Sequence, residues 1–217
     1  PAQAPPMSAL RTAISGLALN DPEADDIGHE SNLRKAVDLT AKIPTIIAAI
    51  DRNRKELELL GPRNDLDHGA NFLYMLHGHE PTELQARAMN LYLVLLADHG
   101  FNASTFSARV TAATLSDMYS AVTSAIGTLK GPAHGGATQA TMEQFFEIGD
   151  VDNVETWFRE ARSQGRRVMG IGHRVYKAED PRARHLRLLA AGLGEQTDPK
   201  WFQIAHKLEQ VAPHDPY

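Results

Sequence analysis

Three histidines of this sequence stand where helical patterns break, and each has glycine beside it. The three segments are Asp98-His99-Gly100, Gly131-Pro132-Ala133-His134-Gly135-Gly136 and Gly170-Ile171-Gly172-His173. Loops at such breaks hold functional groups on a rigid scaffold, and glycine allows a ligand or another backbone to come close. An imidazole placed there can hydrogen-bond a substrate oxygen or transfer a proton. A turn with an incidental histidine is the structural alternative for each segment taken singly.

Other chemistries fit the same residues less well. The chain has ten histidines, but it has no cysteine, no His-Glu-x-x-His pattern and no repeated histidine pair at one-turn spacing, so we predict no metal site. His77-Gly78-His79 is interpreted as an exposed turn. Gly170-Ile171-Gly172 lacks the third glycine of a dinucleotide fingerprint, and Gly131–Gly136 lacks the Gly-Lys-Ser/Thr of a phosphate loop. Asn102, Ser104 and Asp180-Pro181 are also suitable as helix caps.

The composition is that of an ordinary globular protein of 217 residues, 42% hydrophobic and 23% charged. The net charge of −5 gives no electrostatic reason to expect nucleic acid binding. A late basic cluster is interpreted as a solvated helix face or as an anion site; it comprises Arg166, Arg167, Arg174, Lys177, Arg182, Arg184 and Arg187. No stretch approaches the roughly 20 apolar residues of a membrane-spanning helix. Without cysteine, disulfides and thiolate catalysis are excluded.

Apolar residues recur every three or four positions along most of the chain, which predicts an all-α fold. Pro44 is expected to end or kink the first of these helices near Ile43. A stretch rich in Ala, Ser and Thr, 103–129, is predicted as one long helix that crosses a core or a subunit interface. The predicted helices span about 33–50, 81–98, 103–129, 138–148, 154–163, 181–193 and 199–211.

Together, the three histidine segments resemble the citrate synthase family in its bacterial or archaeal form, a family that includes the 2-methylcitrate synthases. Asp98–Arg109 is similar to its His-x-x-Asn-x-Ser segment, Lys130–Gly136 to its Gly-Pro-x-His-Gly-Gly segment, and Met169–Arg182 to its Gly-His-Arg-Val-Tyr-Lys…Asp-Pro-Arg segment. The resemblance covers essentially the whole chain. It implies a helical homodimer, with residues 1–136 in a large domain that contains the dimer helices and residues 137–217 in a small domain that closes over the substrates.

The resemblance also implies a role for each matched residue. His134 would stabilise the enol oxygen of acetyl-CoA, and His173 would hydrogen-bond and protonate the carbonyl of oxaloacetate. The substrate-binding set would be His99, Arg182 and Asn102, with Ser104 and Asn102 orienting the histidines. Gly170, Ile171 and Gly172 would pass along the adenine of CoA, with Lys177 near its phosphates. The implied reaction gives citrate and CoA and requires no cofactor, because the CoA thioester is itself a substrate.

Two expectations concern the limits of the sequence and its specificity. The family's base, an aspartate in a segment reading roughly Pro-Asn-Val-Asp-Phe-Tyr, would lie beyond Tyr217. We therefore expect a fragment that lacks both ends of a cytoplasmic tricarboxylic acid cycle enzyme and that is inactive alone. The alternatives are a 2-methylcitrate synthase that uses propionyl-CoA, and an inactive module that only binds CoA or the oxo acid or only dimerises.

Overall fold

The computed structural model describes residues 3–171 and 180–212, and within these ranges every regular element is helical. The all-α prediction is confirmed. The α-helices are α1 Pro6–Leu17, α2 His29–Arg54, α3 His68–His77, α4 Glu83–Leu96, α5 Ala103–Ala112, α6 Met118–Leu129, α7 Gly136–Ile148, α8 Val154–Ser163, α9 Ala183–Gln196 and α10 Lys200–Val211. None of the described helices is both long enough and apolar enough to cross a bilayer.

The chain divides into two compact units, Pro1–His134 and Gly135–Tyr217, called here the N-terminal and C-terminal units. In the N-terminal unit, α1, α2 and α6 share one core, in which Ile14 of α1 is fully buried. The buried members of that core are Leu10, Ile14, Leu39, Tyr119 and Ile126. The core fixes α6, whose end leads directly to His134.

The prediction of one long helix over 103–129 is wrong. The stretch forms two packed helices, α5 and α6, joined by residues 113–117. Leu115 takes a left-handed conformation at φ 65°, which an α-helix cannot accommodate, and the Asp117 side chain caps α6 by accepting from the Ser120 amide. Small side chains let the helices approach closely, as shown by the 2.5 Å separation of the Ser107 and Ser124 hydroxyl oxygens.

Pro44 does not end α2, and a kink at Pro44 stays a prediction. The helix continues through Pro44, with Leu39, Ile43 and Ile47 packed into the core on both sides of it. This packing offsets the amide hydrogen bond that proline cannot make. Helix α4 is capped by Thr82 instead of beginning at Pro81, because Thr82 and Gln85 form a reciprocal capping box.

A buried polar group ties the loop after α1 to the core. The Tyr119 hydroxyl donates to Asp21 at 2.7 Å, and the Arg34 guanidinium pairs with the same carboxylate at 3.1 Å. The pKa of Asp21 is lowered to about 2, and the hydrogen bond from Tyr119 is the largest cause of this shift. Fully buried Lys35 donates to two carbonyl oxygens of the same loop, those of Ala24 and Asp26.

The Asp21 pKa predicts a change of stability in acid. Because this pKa is lower in the folded chain than the ordinary 3.8, the ionised carboxylate stabilises the fold above about pH 4. That contribution is lost as the pH falls from about 4 to about 2. Urea unfolding across this range should show a steeper fall in the free energy of unfolding for the wild type than for Asp21→Asn. Asp25→Asn, at an exposed position on the same loop, is the control and should keep the wild-type slope.

In the C-terminal unit, α7, α8 and α10 meet around a second core. Val154 and Ile204 are fully buried there, and Trp157 belongs to the same cluster, as does Ile148 at the end of α7. Val168, which follows α8 in a non-helical segment, is buried in the same core. The core therefore anchors the segment that leads towards Gly170 and Ile171.

Candidate active site

His134 stands in a tight turn between α6 and α7. After Lys130, the Gly131 amide donates to Thr128 O at 3.1 Å, and the His134 amide donates to Gly131 O at 3.0 Å. A Cβ at position 131 would lie 3.2 Å from the Thr128 carbonyl oxygen, so the turn favours glycine there. The backbone that leads to the histidine is thereby fixed, and α7 begins two residues later at Gly136.

The His134 ring is oriented by a serine from another helix. Ser104 Oγ lies 2.8 Å from His134 Nε2 and 3.2 Å from the carbonyl oxygen of Ala125 on α6. A serine hydroxyl has one proton to donate. The hydroxyl donates to the Ala125 carbonyl oxygen, and its oxygen lies in hydrogen-bond contact with Nε2. These two contacts fix the plane of the His134 ring, with Nε2 facing Ser104.

Asn102 holds Ser104 in place by capping α5. Its Oδ1 accepts from the Ser104 amide at 2.9 Å and from the Thr105 amide at 3.0 Å, while its Nδ2 donates to Thr105 Oγ1. The helix-cap interpretation of Asn102 is confirmed, and its role in orienting the histidines stays a prediction. Direct contact between Asn102 and a substrate stays a prediction.

His99 lies in the turn before this cap, partly buried, between α4 and α5. Gly100 has φ 59° and donates its amide to Asp98 Oδ1 at 2.7 Å, so the turn reverses immediately after the histidine. The described structure places His99 three residues before Asn102, on the same connection. Its role towards the oxo acid stays a prediction.

Gly170 and Ile171 of the C-terminal unit lie at the end of a segment held by α7. Gln144 of α7, only 5% exposed, accepts from the Met169 amide at 2.8 Å and donates to the Met169 carbonyl at 3.2 Å. Gly170 follows with φ 83°, a left-handed conformation that favours glycine, and Ile171 packs against the core. The sequence interpretation missed Gln144, although a glutamine four residues before buried Ile148 marks a polar group on the buried face of a helix.

Arg182 pairs with a carboxylate of its own turn. Its Nε lies 2.9 Å from Asp180 Oδ1 and its Nη2 lies 2.5 Å from Asp180 Oδ2, a bidentate arrangement. Helix α9 begins just afterwards, at Ala183, with Arg182 itself as the N-cap residue. A guanidinium is a planar, rigid group with five N–H donors. A carboxylate that pairs with one edge therefore fixes the direction of the remaining N–H donors.

Three of the sequence-predicted residues, Gly172, His173 and Lys177, lie outside the described residues. In the described part of the chain, no group of three or more His, Asp or Glu side chains is arranged to hold a metal ion. Among the described site residues, Ser104 contacts His134 in the N-terminal unit, whereas Gly170, Ile171 and Arg182 belong to the C-terminal unit.

Comparison with known proteins identifies the family. The family model described as "Citrate synthase, C-terminal domain" matches residues 1–217. Citrate synthase 2 of Bacillus subtilis is 50% identical over 207 residues, which is 95% of this chain and 56% of that protein. The crystal structure of citrate synthase from Pyrobaculum aerophilum superposes with a TM-score of 0.88 at 43% identity, covering 100% of this chain and 57% of that one. The chain belongs to the citrate synthase family.

Two further matches bear on ligands and specificity. A structure of citrate synthase from Thermoplasma acidophilum, described as a ternary complex with carboxymethyl coenzyme A and oxaloacetate, has a TM-score of 0.89 at 33% identity. It covers 97% of this chain and 56% of that one. A 2-methylcitrate synthase of Mycobacterium tuberculosis is 42% identical over 200 residues, which is 92% of this chain and 50% of that protein. The chain spans about half the length of the curated relatives it matches.

Proposed function

We propose that the complete protein containing this sequence condenses acetyl-CoA with oxaloacetate and hydrolyses the thioester to give citrate and CoA. The observation that carries the proposal is the 2.8 Å contact between Ser104 Oγ and His134 Nε2. It joins two of the three histidine-segment motifs in space, in a chain that matches the family model from end to end.

The chemistry explains why a fixed imidazole is needed. The methyl group of a thioester is a very weak acid, so negative charge on the thioester oxygen must be stabilised while a base removes the proton. Held at Nε2 by Ser104, His134 would donate a hydrogen bond to that oxygen from its other ring nitrogen, Nδ1. A donor fixed in this way contributes about 3–4 kcal/mol to the transition state.

The remaining matched residues complete the proposed site. His173 would donate to the ketone oxygen of oxaloacetate and protonate it as the carbon–carbon bond forms, while His99 and Arg182 would bind the oxo acid. The orientation that Asp180 imposes on the Arg182 guanidinium supports a bidentate role towards a carboxylate. Gly170, Ile171 and Gly172 would run along the adenine of CoA, with Lys177 near the phosphates.

A direct assay tests the proposal. The purified complete protein is expected to release CoA from acetyl-CoA only when oxaloacetate is present, with citrate formed in equal amount. CoA release without citrate would contradict condensation. The absence of any turnover, together with saturable binding of CoA or oxaloacetate, would instead support the inactive binding module.

The second candidate function is 2-methylcitrate synthesis, which the match to the Mycobacterium tuberculosis protein supports. The two reactions differ by one methyl group on the acyl chain, and a pocket discriminates a methyl by only about 1–3 kcal/mol. The ratio of kcat/KM for acetyl-CoA and propionyl-CoA decides between them. A ratio above one supports citrate synthesis, and a ratio below one supports the alternative.

Arg182→Lys is expected to weaken oxaloacetate binding by about 1.5–3 kcal/mol, because lysine cannot reproduce the bidentate fork. The KM for oxaloacetate in the complete protein should rise by about 10-fold or more, with the KM for acetyl-CoA little changed. Arg184→Lys, at an exposed position one residue further into α9, is the control. An unchanged KM for oxaloacetate in Arg182→Lys would exclude Arg182 from oxaloacetate binding. Its role would then be limited to the ion pair with Asp180.

We further propose that the protein is cytoplasmic, a location that a cysteine-free sequence permits.

We also propose that the protein is a homodimer that uses the outer face of α5. Phe106 and Val110, one helical turn apart on α5, are 55% and 50% exposed, and Phe101 packs edge-on against Phe106 at 5.7 Å between ring centroids. Val94, near the end of α4, is also exposed. An apolar face of this kind is typical of an association surface.

The dimer proposal predicts the effect of one charge on that face. In a two-fold dimer each substitution acts twice, so Phe106→Asp should raise the dissociation constant by at least about tenfold. Light scattering across a dilution series measures this constant. Leu188→Asp, at a 79% exposed position of α9, is the matched control and should remain dimeric. Dimers of equal stability for both variants would exclude the α5 face.

A further inference from the structure

Gln144 makes a contact that the catalytic motifs do not account for. It is the one buried polar side chain of the described C-terminal unit, and both of its hydrogen bonds go to the backbone of a single residue, Met169. We propose that Gln144 is a positioning residue for the CoA thioester, acting through the segment Met169-Gly170-Ile171. The proposal rests on the proposed function, because that function assigns Gly170 and Ile171 to the CoA site.

The path of the chain before Met169 shows why such a clamp is useful. Helix α8 ends in a Schellman arrangement, with Gly165 at φ 65°, its amide on Arg162 O and the Arg166 amide on Ala161 O. The chain then leaves the helix, and a bidentate ion pair between Arg166 and Glu147 of α7 sets its direction at 2.9 and 2.7 Å. Both side chains of that pair are about half exposed, so it fixes the backbone only loosely.

One face of α7 follows this segment residue by residue in the opposite direction. Ile148 shares the buried core with Val168, Gln144 bonds Met169, and a Cβ built on Gly170 would lie 3.8 Å from Thr141 Cγ2. The three α7 positions are separated by three and four residues, which places them on one side of a helix. Among them, Gln144 provides the hydrogen bonds to the segment backbone.

The carboxamide suits this task because it donates and accepts at once. Its Oε1 takes the Met169 N–H and its Nε2 gives a proton to the Met169 carbonyl, so the peptide planes on both sides of Met169 are held. The left-handed turn at Gly170 therefore starts from a fixed orientation. A methionine would provide neither bond, and an ionised glutamate would accept but could not donate.

The test compares Gln144→Met with Gln139→Met, the same substitution at an exposed position of the same helix. In the complete protein, Gln144→Met should raise the KM for acetyl-CoA about tenfold, with a smaller change in kcat and in the KM for oxaloacetate. Amide hydrogen exchange at Met169, Gly170 and Ile171 should accelerate in the same variant. Gln139→Met should match the wild type in all of these measurements.

Gln144→Glu is the second variant, which keeps the size of the side chain. Its carboxyl group can make both bonds while protonated, so its KM for acetyl-CoA should rise with pH relative to the wild-type profile. If Gln144 had a purely structural role, Gln144→Glu would lower the melting temperature, but its KM for acetyl-CoA would follow the wild-type pH profile. Wild-type KM and wild-type exchange at residues 169–171 in Gln144→Met would overturn the proposal. If the wild type itself fails to turn over, the proposed function fails, and hydrogen exchange still decides whether Gln144 holds the segment.

Discussion

His134→Ala is expected to lower kcat by about 10²–10⁴-fold, the range for loss of an oxyanion donor or a general acid. The reason is that the thioester enolate loses the hydrogen-bond donor whose ring the Ser104 contact orients. The same loss should stop exchange of the acetyl-CoA methyl protons with solvent, even when a non-reacting oxo acid analogue fills the other site. Proton NMR of acetyl-CoA in deuterated buffer measures this exchange in the complete protein.

Two serines of α5 provide the matched controls. Ser104→Ala removes the hydroxyl that orients the His134 ring but leaves the imidazole in place, so its kcat should fall less, by about tenfold. Ser107→Ala removes a hydroxyl one turn further along, which bonds Ser124 and not the histidine, and it should keep wild-type kcat. Full exchange and full turnover in His134→Ala would exclude the enol-stabilising role, whatever the serine variants show.

Most helices could be predicted from the sequence, because the periodic spacing of apolar residues indicates both the helix and the face that it buries. Helices α1 and α3 were not predicted, and the other failures occurred where tertiary contacts overrode a local signal. The Ala, Ser and Thr residues between 103 and 129 favour a helix throughout, and the left-handed Leu115 that separates α5 from α6 has no residue signal of its own. Pro44 usually ends a helix, but the core packing around it keeps α2 continuous.

The candidate site was partly predictable for the same reason. Glycines beside His134 and the cap at Asn102 are local signals, and both lie where the sequence indicated. The contacts of Ser104 with His134 and of Gln144 with Met169 join residues 30 and 25 positions apart. Nothing local determines such pairs, since they depend on how α5 packs on α6 and how the 166–171 segment returns along α7.

His173→Ala should separate the second chemical step from the first. If His173 donates to the ketone of the oxo acid, its loss should lower turnover by about 10²–10⁴-fold, because the alkoxide that forms with the new carbon–carbon bond loses its proton source. Exchange of the acetyl-CoA methyl protons should persist in part, since enol formation depends on His134. The two histidine variants would then show opposite patterns in the exchange assay at similarly low turnover.

Binding of CoA gives the control for both variants. The proposed adenine contact is made by the backbone of Gly170 to Gly172 and not by an imidazole, so CoA titrations of His134→Ala and His173→Ala should give wild-type dissociation constants. A loss of CoA affinity in His173→Ala would mean that the substitution displaced the neighbouring segment, and the exchange result would then report on CoA binding. Near wild-type turnover in His173→Ala would contradict the proposed role of His173 as the proton donor. Another residue would then have to donate to the ketone.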